Sequence, residues 1–313
     1  MTIFVTGSTG FLGGHLVKSL INRDEEVVTF SRSPVLFPPY STEHYCCNLS
    51  ASKIDGINYG MFARACEKHK PDTIFHLAGN PLSRLNEKKP HDIILDNVVS
   101  TQKILHYAPK GCRIILASTA IVYGDWLYEE GWEDTPYYEL DKTDPTSVYG
   151  MTKRAAESLV SIYTSMGRIE GASLRFCATV GPSLTHGVVR DFIVKLHSSS
   201  PYLDVLGDEP GSKKPYCHIN DAIEAFILLS KSDVVGEFNV LPNNAITIKD
   251  VAAAVMEGCN IQKPINWLGE GANWKGDNKI INVSNEKLKS VGWKPKFPDS
   301  YDAIVDIVKR IVQ

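Results

Sequence analysis

Along the first half of the chain, short continuous runs of apolar and β-branched residues alternate with longer stretches whose apolar positions recur every three or four residues. Ile3 to Thr6, Glu26 to Phe30, Thr73 to Leu77 and Arg113 to Ala117 read as strands, and Leu12 to Asn22, Tyr59 to Lys70 and His91 to Tyr107 as helices. Strands that are apolar without alternation have both faces covered, which predicts a parallel sheet with helices on either side. Pro145 to Val148 leads into a helix from Tyr149 to Tyr163 and then a strand from Gly171 to Phe176, completing a doubly wound α/β layout. Beyond Gly181-Pro182 the pattern loosens: Val188 to His197 is helical, whereas Ser198 to Pro215 is rich in Ser, Pro, Gly and charge. This predicts a first domain over 1–177 and a smaller C-terminal α/β domain over 178–313. A segment from about 215 to 240, with a helix at Asp221 to Ser230 and a strand at Glu237 to Val240, is placed to pack back onto the first. Tyr301, Ile304, Val305, Val308, Ile311 and Val312 form one apolar stripe, so the last helix is expected to dock on the body.

The 313 residues are 43% hydrophobic and 22% charged, which is globular composition. Lys and Arg total 33 against 36 Asp and Glu, a net charge of -3, so there is no basic field for nucleic acid or anionic lipid and neither is expected as a partner. The first residues lack a basic segment followed by an apolar one, and no apolar run is long enough to span a bilayer, so the expectation is a soluble cytoplasmic protein. The seven cysteines (46, 47, 66, 112, 177, 217 and 259) form no Cys-x-x-Cys pair and are odd in number, which predicts reduced thiols with neither a zinc site nor a disulfide framework. No metal is expected. The glycosylation-type triplets at Asn48 and Asn282 are read as chance.

Candidate chemistry begins where the first strand meets the first helix, at Gly7-Ser8-Thr9-Gly10-Phe11-Leu12-Gly13. Gly7 suits a tight turn, Gly10 a close backbone approach to a pyrophosphate and Gly13 close helix-strand packing, while the free amides at the helix start bind the anion. This makes the fold Rossmann-type and the ligand a dinucleotide. At the end of the second strand, where NAD-binding folds carry an acid for the ribose 2′-hydroxyl, the chain reads Phe30-Ser31-Arg32-Ser33. A hydroxyl beside a guanidinium suits a 2′-phosphate, so the cofactor is NAD(P) with NADP slightly favoured.

Tyr149 and Lys153 lie four residues apart on a helix and share a face. A neighbouring ammonium favours phenolate, and a phenol with an ordinary pKa of about 10 must be lowered to act as a base near neutrality. At the end of the Arg113 to Ala117 strand, Ser118 and Thr119 place hydroxyls at the carboxyl edge of the sheet, where ligands bind in open α/β folds.

With these elements the chain resembles the extended short-chain dehydrogenase/reductase family, specifically its NAD(P)-dependent nucleotide-sugar epimerases and dehydratases of the UDP-glucose 4-epimerase type. The resemblance runs through the glycine turn, His76-Leu77-Ala78-Gly79, Asn97 with Thr101, Ser118-Thr119 with Val122-Tyr123-Gly124, and Tyr149-Gly150-x-Thr152-Lys153 with Glu157. Leu174-Arg175, Gly181-Pro182, His218-Ile219-x-Asp221 and the segment Leu288 to Pro295 extend it. It implies Tyr149 as catalytic acid/base, Lys153 as the group that lowers its pKa and holds the nicotinamide ribose, and Thr119 as a hydrogen-bond partner of the reacting sugar hydroxyl or ketone. Leu77, Ala78 and Gly79 would line the cofactor, Asn97 would shape the site, and Asn48-Leu49 would stand beside the adenine. Ser118, Thr119, Tyr149 and Lys214 would face the substrate, with Lys214 at the diphosphate. The resemblance also implies a homodimer through the helices at His91 to Tyr107 and Tyr149 to Tyr163.

The departures narrow the chemistry. Ala120 and Ile121 stand where the family's 4,6-dehydratases carry Asp and Glu, and the missing acid also counts against decarboxylation; neither Ser118 nor Thr119 is the Cys of a reductive 3,5-epimerase. Reversible oxidation at a sugar carbon through a keto intermediate remains, with C4 epimerisation leading. An NADP-dependent reductase of a sugar or small carbonyl is the alternative, favoured by Arg32 and by Ala178 in place of a sugar-contacting Asn. A non-catalytic NADP-binding sensor or assembly factor is the third, and the intact Tyr149, Lys153 and Thr119 set argues against it. His76 and His218 are expected to be structural, and Trp126, Trp132, Tyr137 and Tyr138 are candidates for stacking on a sugar or base.

Overall fold

The structure is a computed structural model that describes residues 1–32, 42–50, 58–82, 89–124, 136–269 and 281–313. Its main sheet has seven strands: β1 (Thr2–Thr6), β2 (Glu26–Ser31), β3 (Glu43–Cys46), β4 (Thr73–His76), β5 (Cys112–Thr119), β6 (Ile169–Phe176) and β11 (Gly236–Val240). They run in the spatial order β3-β2-β1-β4-β5-β6-β11, and the pairings from β3 through β5 are all parallel. The order reverses between β1 and β4, the point at which doubly wound folds bind ligands outside the carboxyl ends of their strands. Thr6 is in register with both Phe30 and His76, so the ends of β1, β2 and β4 open on one edge. The continuous apolar runs are explained by burial on both faces: Ile3, Phe4, Val5, Ile74, Phe75, Ile114 and Ile115 are all inaccessible to solvent.

Helices α1 (Phe11–Ile21), α2 (Asn58–His69), α3 (Pro90–Ile94), α4 (Ser100–Tyr107) and α5 (Val148–Ser165) flank this sheet. The periodicity that predicts a single helix from His91 to Tyr107 is interrupted by a π turn at Leu95–Val99, which joins α3 to α4. The turn is only five residues long, too short for a periodicity read over several turns to mark it. α5 starts on Ser147, whose hydroxyl accepts from the Gly150 amide at 3.1 Å. Gly150 lets the helix approach the 3-10 turn Ala120–Tyr123: a Cβ there would meet Pro145 Cβ at 2.9 Å and the Ile121 carbonyl oxygen at 3.1 Å.

The remaining elements are β7 (Ala178–Val180), α6 (Val188–Leu196), β8 (Leu203–Val205), β9 (Lys213–Lys214), β10 (Tyr216–His218), α7 (Ile219–Ser230), β12 (Ile246–Thr247), α8 (Ile248–Cys259), β13 (Ile265–Trp267), α9 (Glu286–Ser290) and α10 (Ser300–Val312). Strands as short as β7 to β10, β12 and β13 carry too few residues for a legible period. In α10 the buried stripe comprises Ala303, Ile304, Val305, Ile307 and Val308, whereas Val312 is exposed, so the docking face is shorter than the predicted one. Gly258 of α8 admits it, since a Cβ there would stand 2.5 Å from Val308 Cβ.

The chain divides into two compact units, each assembled from three stretches. One comprises 1–122, 145–175 and 223–238, and the other 123–144, 176–222 and 239–313. The first unit thus runs to 175 without 123–144 and takes in 223–238 from later in the chain. The pattern of apolar runs marks elements and not which unit each joins.

Candidate active site

β1 ends at Thr6 and α1 begins at Phe11, so Gly7 to Gly10 make the turn between them. Gly7 has φ of 70°, and a Cβ on it would lie 2.7 Å from the Ala78 amide nitrogen. At Gly13 a Cβ would lie 2.1 Å from the Gly7 carbonyl oxygen, so only glycine lets helix and turn approach this closely. The turn closes with Gly10 N donating to Gly7 O at 2.9 Å. No side chain caps α1, so the first-turn amides of Phe11, Leu12 and Gly13 keep their donors outside the helix ladder and carry its positive dipole end. Free amides at an uncapped helix start, reached by a turn without side chains at Gly7, Gly10 and Gly13, are the arrangement that fits a dinucleotide pyrophosphate.

Around it stand the residues singled out for the rest of the cofactor. Ser31 closes β2, its hydroxyl 3.2 Å from His44 Nε2, and Arg32 reaches Asp96 with Nη1 3.2 Å from Oδ2. Asn48 Oδ1 accepts from the Ser50 amide at 3.1 Å and its hydroxyl at 2.8 Å, so its carbonyl shapes the local turn. Leu49 is buried in the core beneath. Leu77, Ala78 and Gly79 follow β4 as half-buried backbone. A Cβ on Gly79 would meet Asn97 Oδ1 at 2.7 Å and Lys153 Nζ at 3.2 Å, so this strand end, the π turn and α5 converge here. Asn97 is fixed: Oδ1 accepts from Asn80 N at 2.7 Å, and Nδ2 donates to Thr152 Oγ1 at 2.9 Å and Asn80 O at 3.2 Å.

On α5, Lys153 Nζ donates to the Ala117 carbonyl at 3.0 Å, and Thr119 at the end of β5 hydrogen-bonds the Tyr149 hydroxyl while accepting from Ile121 N at 3.2 Å. The structure thus brings Tyr149, Lys153 and Thr119 to the carboxyl edge of one sheet. Burial dominates the titration of both groups. Burial pushes Tyr149 up to about 12, against which the Thr119 hydrogen bond acts downward, and burial brings Lys153 down to about 8, partly opposed by the Glu157 carboxylate. Desolvation of the charged form sets the direction of each shift.

Ser118 is diverted from this edge. Its hydroxyl donates to Glu157 Oε1 at 2.6 Å, and the same carboxylate takes a bidentate fork from Arg175, Nε to Oε1 and Nη2 to Oε2 both at 2.9 Å. Glu157 is 0% exposed and Arg175 2%. The pair holds β5, β6 and α5 together, and the sequence reading gave it no role. The signals were present: Glu157 follows Lys153 by one helical turn, and Arg175 interrupts an otherwise apolar strand.

His76 spans Thr6 Oγ1 at 2.8 Å and Thr101 Oγ1 at 3.0 Å from the sheet interior, and His218 stacks on Phe297 with Nε2 3.1 Å from Asp306. Both are buried in structural settings. Lys214, in β9, and Ala178, exposed on β7, belong to the second compact unit, as do Tyr137 and Tyr138. Trp126, Trp132 and Ser33 lie outside the described residues. Among the described residues no cluster of His, Cys, Asp or Glu is arranged for a metal ion, and no helix is long and apolar enough to cross a membrane.

A family model described as the NAD dependent epimerase/dehydratase family matches residues 3–240. Among curated proteins, the chain is 29% identical over 303 residues to UDP-glucuronic acid decarboxylase 1 of Arabidopsis thaliana, covering 95% of this chain and 67% of that one. It is 27% identical over 257 residues to a probable UDP-glucuronate 4-epimerase of Rhizobium meliloti, covering 78% and 72%. Among solved structures, a UDP-galactose 4-epimerase superposes with a TM-score of 0.79 at 28% identity, over 99% of this chain and 98% of that one.

Proposed function

Because the chain belongs to the NAD dependent epimerase/dehydratase family, we propose that it inverts C4 of a UDP-sugar through a transient ketone, with Tyr149, Lys153 and Thr119 as its working groups. The observation that carries this reading is the meeting of the Tyr149 hydroxyl with Thr119, beside an α5 lysine bonded to Ala117 O, at the sheet edge reached by the glycine turn. Gly7, Gly10, Phe11, Leu12 and Gly13 would hold the pyrophosphate, Asn48 and Leu49 the adenine, and Leu77 to Gly79 with Asn97 the nicotinamide side. When bound, the oxidised nicotinamide supplies the hydride acceptor and a positive charge that favours the Tyr149 phenolate. Tyr149 would take the proton of the C4 hydroxyl as it is oxidised to the ketone and return it when the ketone is reduced on its opposite face. Thr119 orients the oxygen, and protonated Lys153 stabilises the phenolate. Lys214 is assigned to the sugar diphosphate as a point charge.

Decarboxylase relatives make that reaction the nearest competitor, but Ala120 is buried without a carboxylate and Ile121 is apolar, so the turn after β5 lacks the acid. The reductase alternative rests on Arg32 at the end of β2, which suits NADP. The seven cysteines, none of them in a disulfide, accord with a reducing, cytoplasmic setting. A homodimer is supported by the apolar side chains Ile94, Met151 and Ile162, exposed on α3 and α5.

Incubation with UDP-sugars, followed by NMR of the product and absorbance of the cofactor, tests the assignment. Expected is a C4 epimer with no net change in reduced cofactor, and a rate about 10²–10⁴-fold lower in Tyr149→Phe with the cofactor still bound. Stoichiometric consumption of NADPH without an epimer would establish the reductase instead.

A further inference from the structure

In dinucleotide-binding folds a carboxylate near the end of the second strand accepts from a ribose 2′-hydroxyl, whereas an arginine there accommodates a 2′-phosphate. This chain presents both groups, from different elements. Arg32 follows β2, and Asp96 comes from the π turn between α3 and α4, 64 residues later, with Nη1 and Oδ2 3.2 Å apart. The two side chains are unequally free: Arg32 is 58% exposed and Asp96 11%. Asn80 Nδ2 also donates to Asp96 Oδ2 at 3.2 Å, and the adjoining Asn97 is tied to Asn80 and Thr152. The carboxylate is therefore anchored, while the guanidinium sits on a long side chain open to solvent.

We propose that Asp96 sets the discrimination between NAD and NADP by competing with a 2′-phosphate for the Arg32 guanidinium. The chain takes both nucleotides, and the Asp96 contact holds back the gain that Arg32 offers to NADP. With the Arg32 side of the pair open to solvent the contact is weak, so a phosphate can draw the guanidinium away from the carboxylate, and the restraint amounts to a few-fold rather than an exclusion. The inference rests on the dinucleotide reading of the glycine turn.

Native mass spectrometry of the intact protein with equimolar NAD and NADP reads the ratio of the two bound forms directly. Asp96→Asn keeps the shape and the acceptor for Asn80 but removes the charge, and it should raise the NADP-to-NAD ratio about three- to fivefold. In an Arg32→Ala background the same substitution should leave the ratio unchanged, because nothing remains to compete for. A ratio indifferent to Asp96 in the wild-type background overturns the proposal. So does an equal rise in the Arg32→Ala background, which would show a general field effect on a phosphate instead of competition for one guanidinium. Failure of the wild-type protein to take up either nucleotide overturns the dinucleotide reading and this inference with it, an outcome distinct from binding with an unmoved ratio.

Discussion

At the scale of single residues, burial governs the titrations that matter. The spacing of Tyr149 and Lys153 implies a phenol made acidic by an ammonium, yet burial raises the one to about 12 and lowers the other to about 8. In the proposed reaction, a positive charge brought beside Tyr149 would oppose that burial and favour the phenolate. His76 shows the same force in a structural role. Burial, with the Lys153 charge adding to it, brings its pKa down to about 3 from an ordinary 6.5. Below pH 6.5 the unfolded chain takes up a proton that the folded ring refuses until about pH 3. Stability is thus complete above pH 6.5 and lost as pH falls towards 3, at about 1.4 kcal/mol per pH unit from this group. Urea unfolding midpoints at pH 7 and pH 5 should fall more steeply for the wild type than for His76→Gln; parallel lines would show that His76 is not buried neutral.

At the scale of elements, the glycine turn was legible because its demands are local: a positive φ at Gly7 and a close approach at Gly13 both select the residue with no Cβ. Gly13→Ala places a methyl 2.1 Å from the Gly7 carbonyl, whereas Gly14→Ala places one 3.7 Å from Ser8 O. The first should cost about 1–3 kcal/mol and abolish cofactor retention, and the second should be harmless. Thermal melts and the nucleotide content of the purified variants check the pair, and equal behaviour would remove the steric argument. The β5-α5-β6 contact was not legible in the same way. Ser118 stands beside Thr119 in sequence and reads as its equal, but its hydroxyl donates to Glu157 of α5, the carboxylate that Arg175 of β6 also holds. The π turn was hidden too, although it sets Asp96 and Asn97 against the end of β4.

For the whole molecule, the proposed dimer gives the apolar exposure on α3 and α5 a purpose. Met151→Glu combined with Ile162→Glu should convert a dimer to a monomer in size-exclusion chromatography with light scattering, and a monomeric wild type would remove that proposal. The sequence by itself determined the alternation of buried strands and amphipathic helices, the dinucleotide-type turn and the placing of Tyr149 and Lys153 on one helix face. Each of these is set within a few residues by backbone sterics, the need to cover apolar surface, or the 3.6-residue turn. Only the tertiary structure decided which hydroxyl at the end of β5 meets Tyr149, which way burial shifts the pair, and that Arg32 is answered by a carboxylate. Those outcomes depend on desolvation and on partners tens of residues away, 39 for Ser118 and Glu157 and 64 for Arg32 and Asp96, which a pattern read over one helix or strand cannot contain.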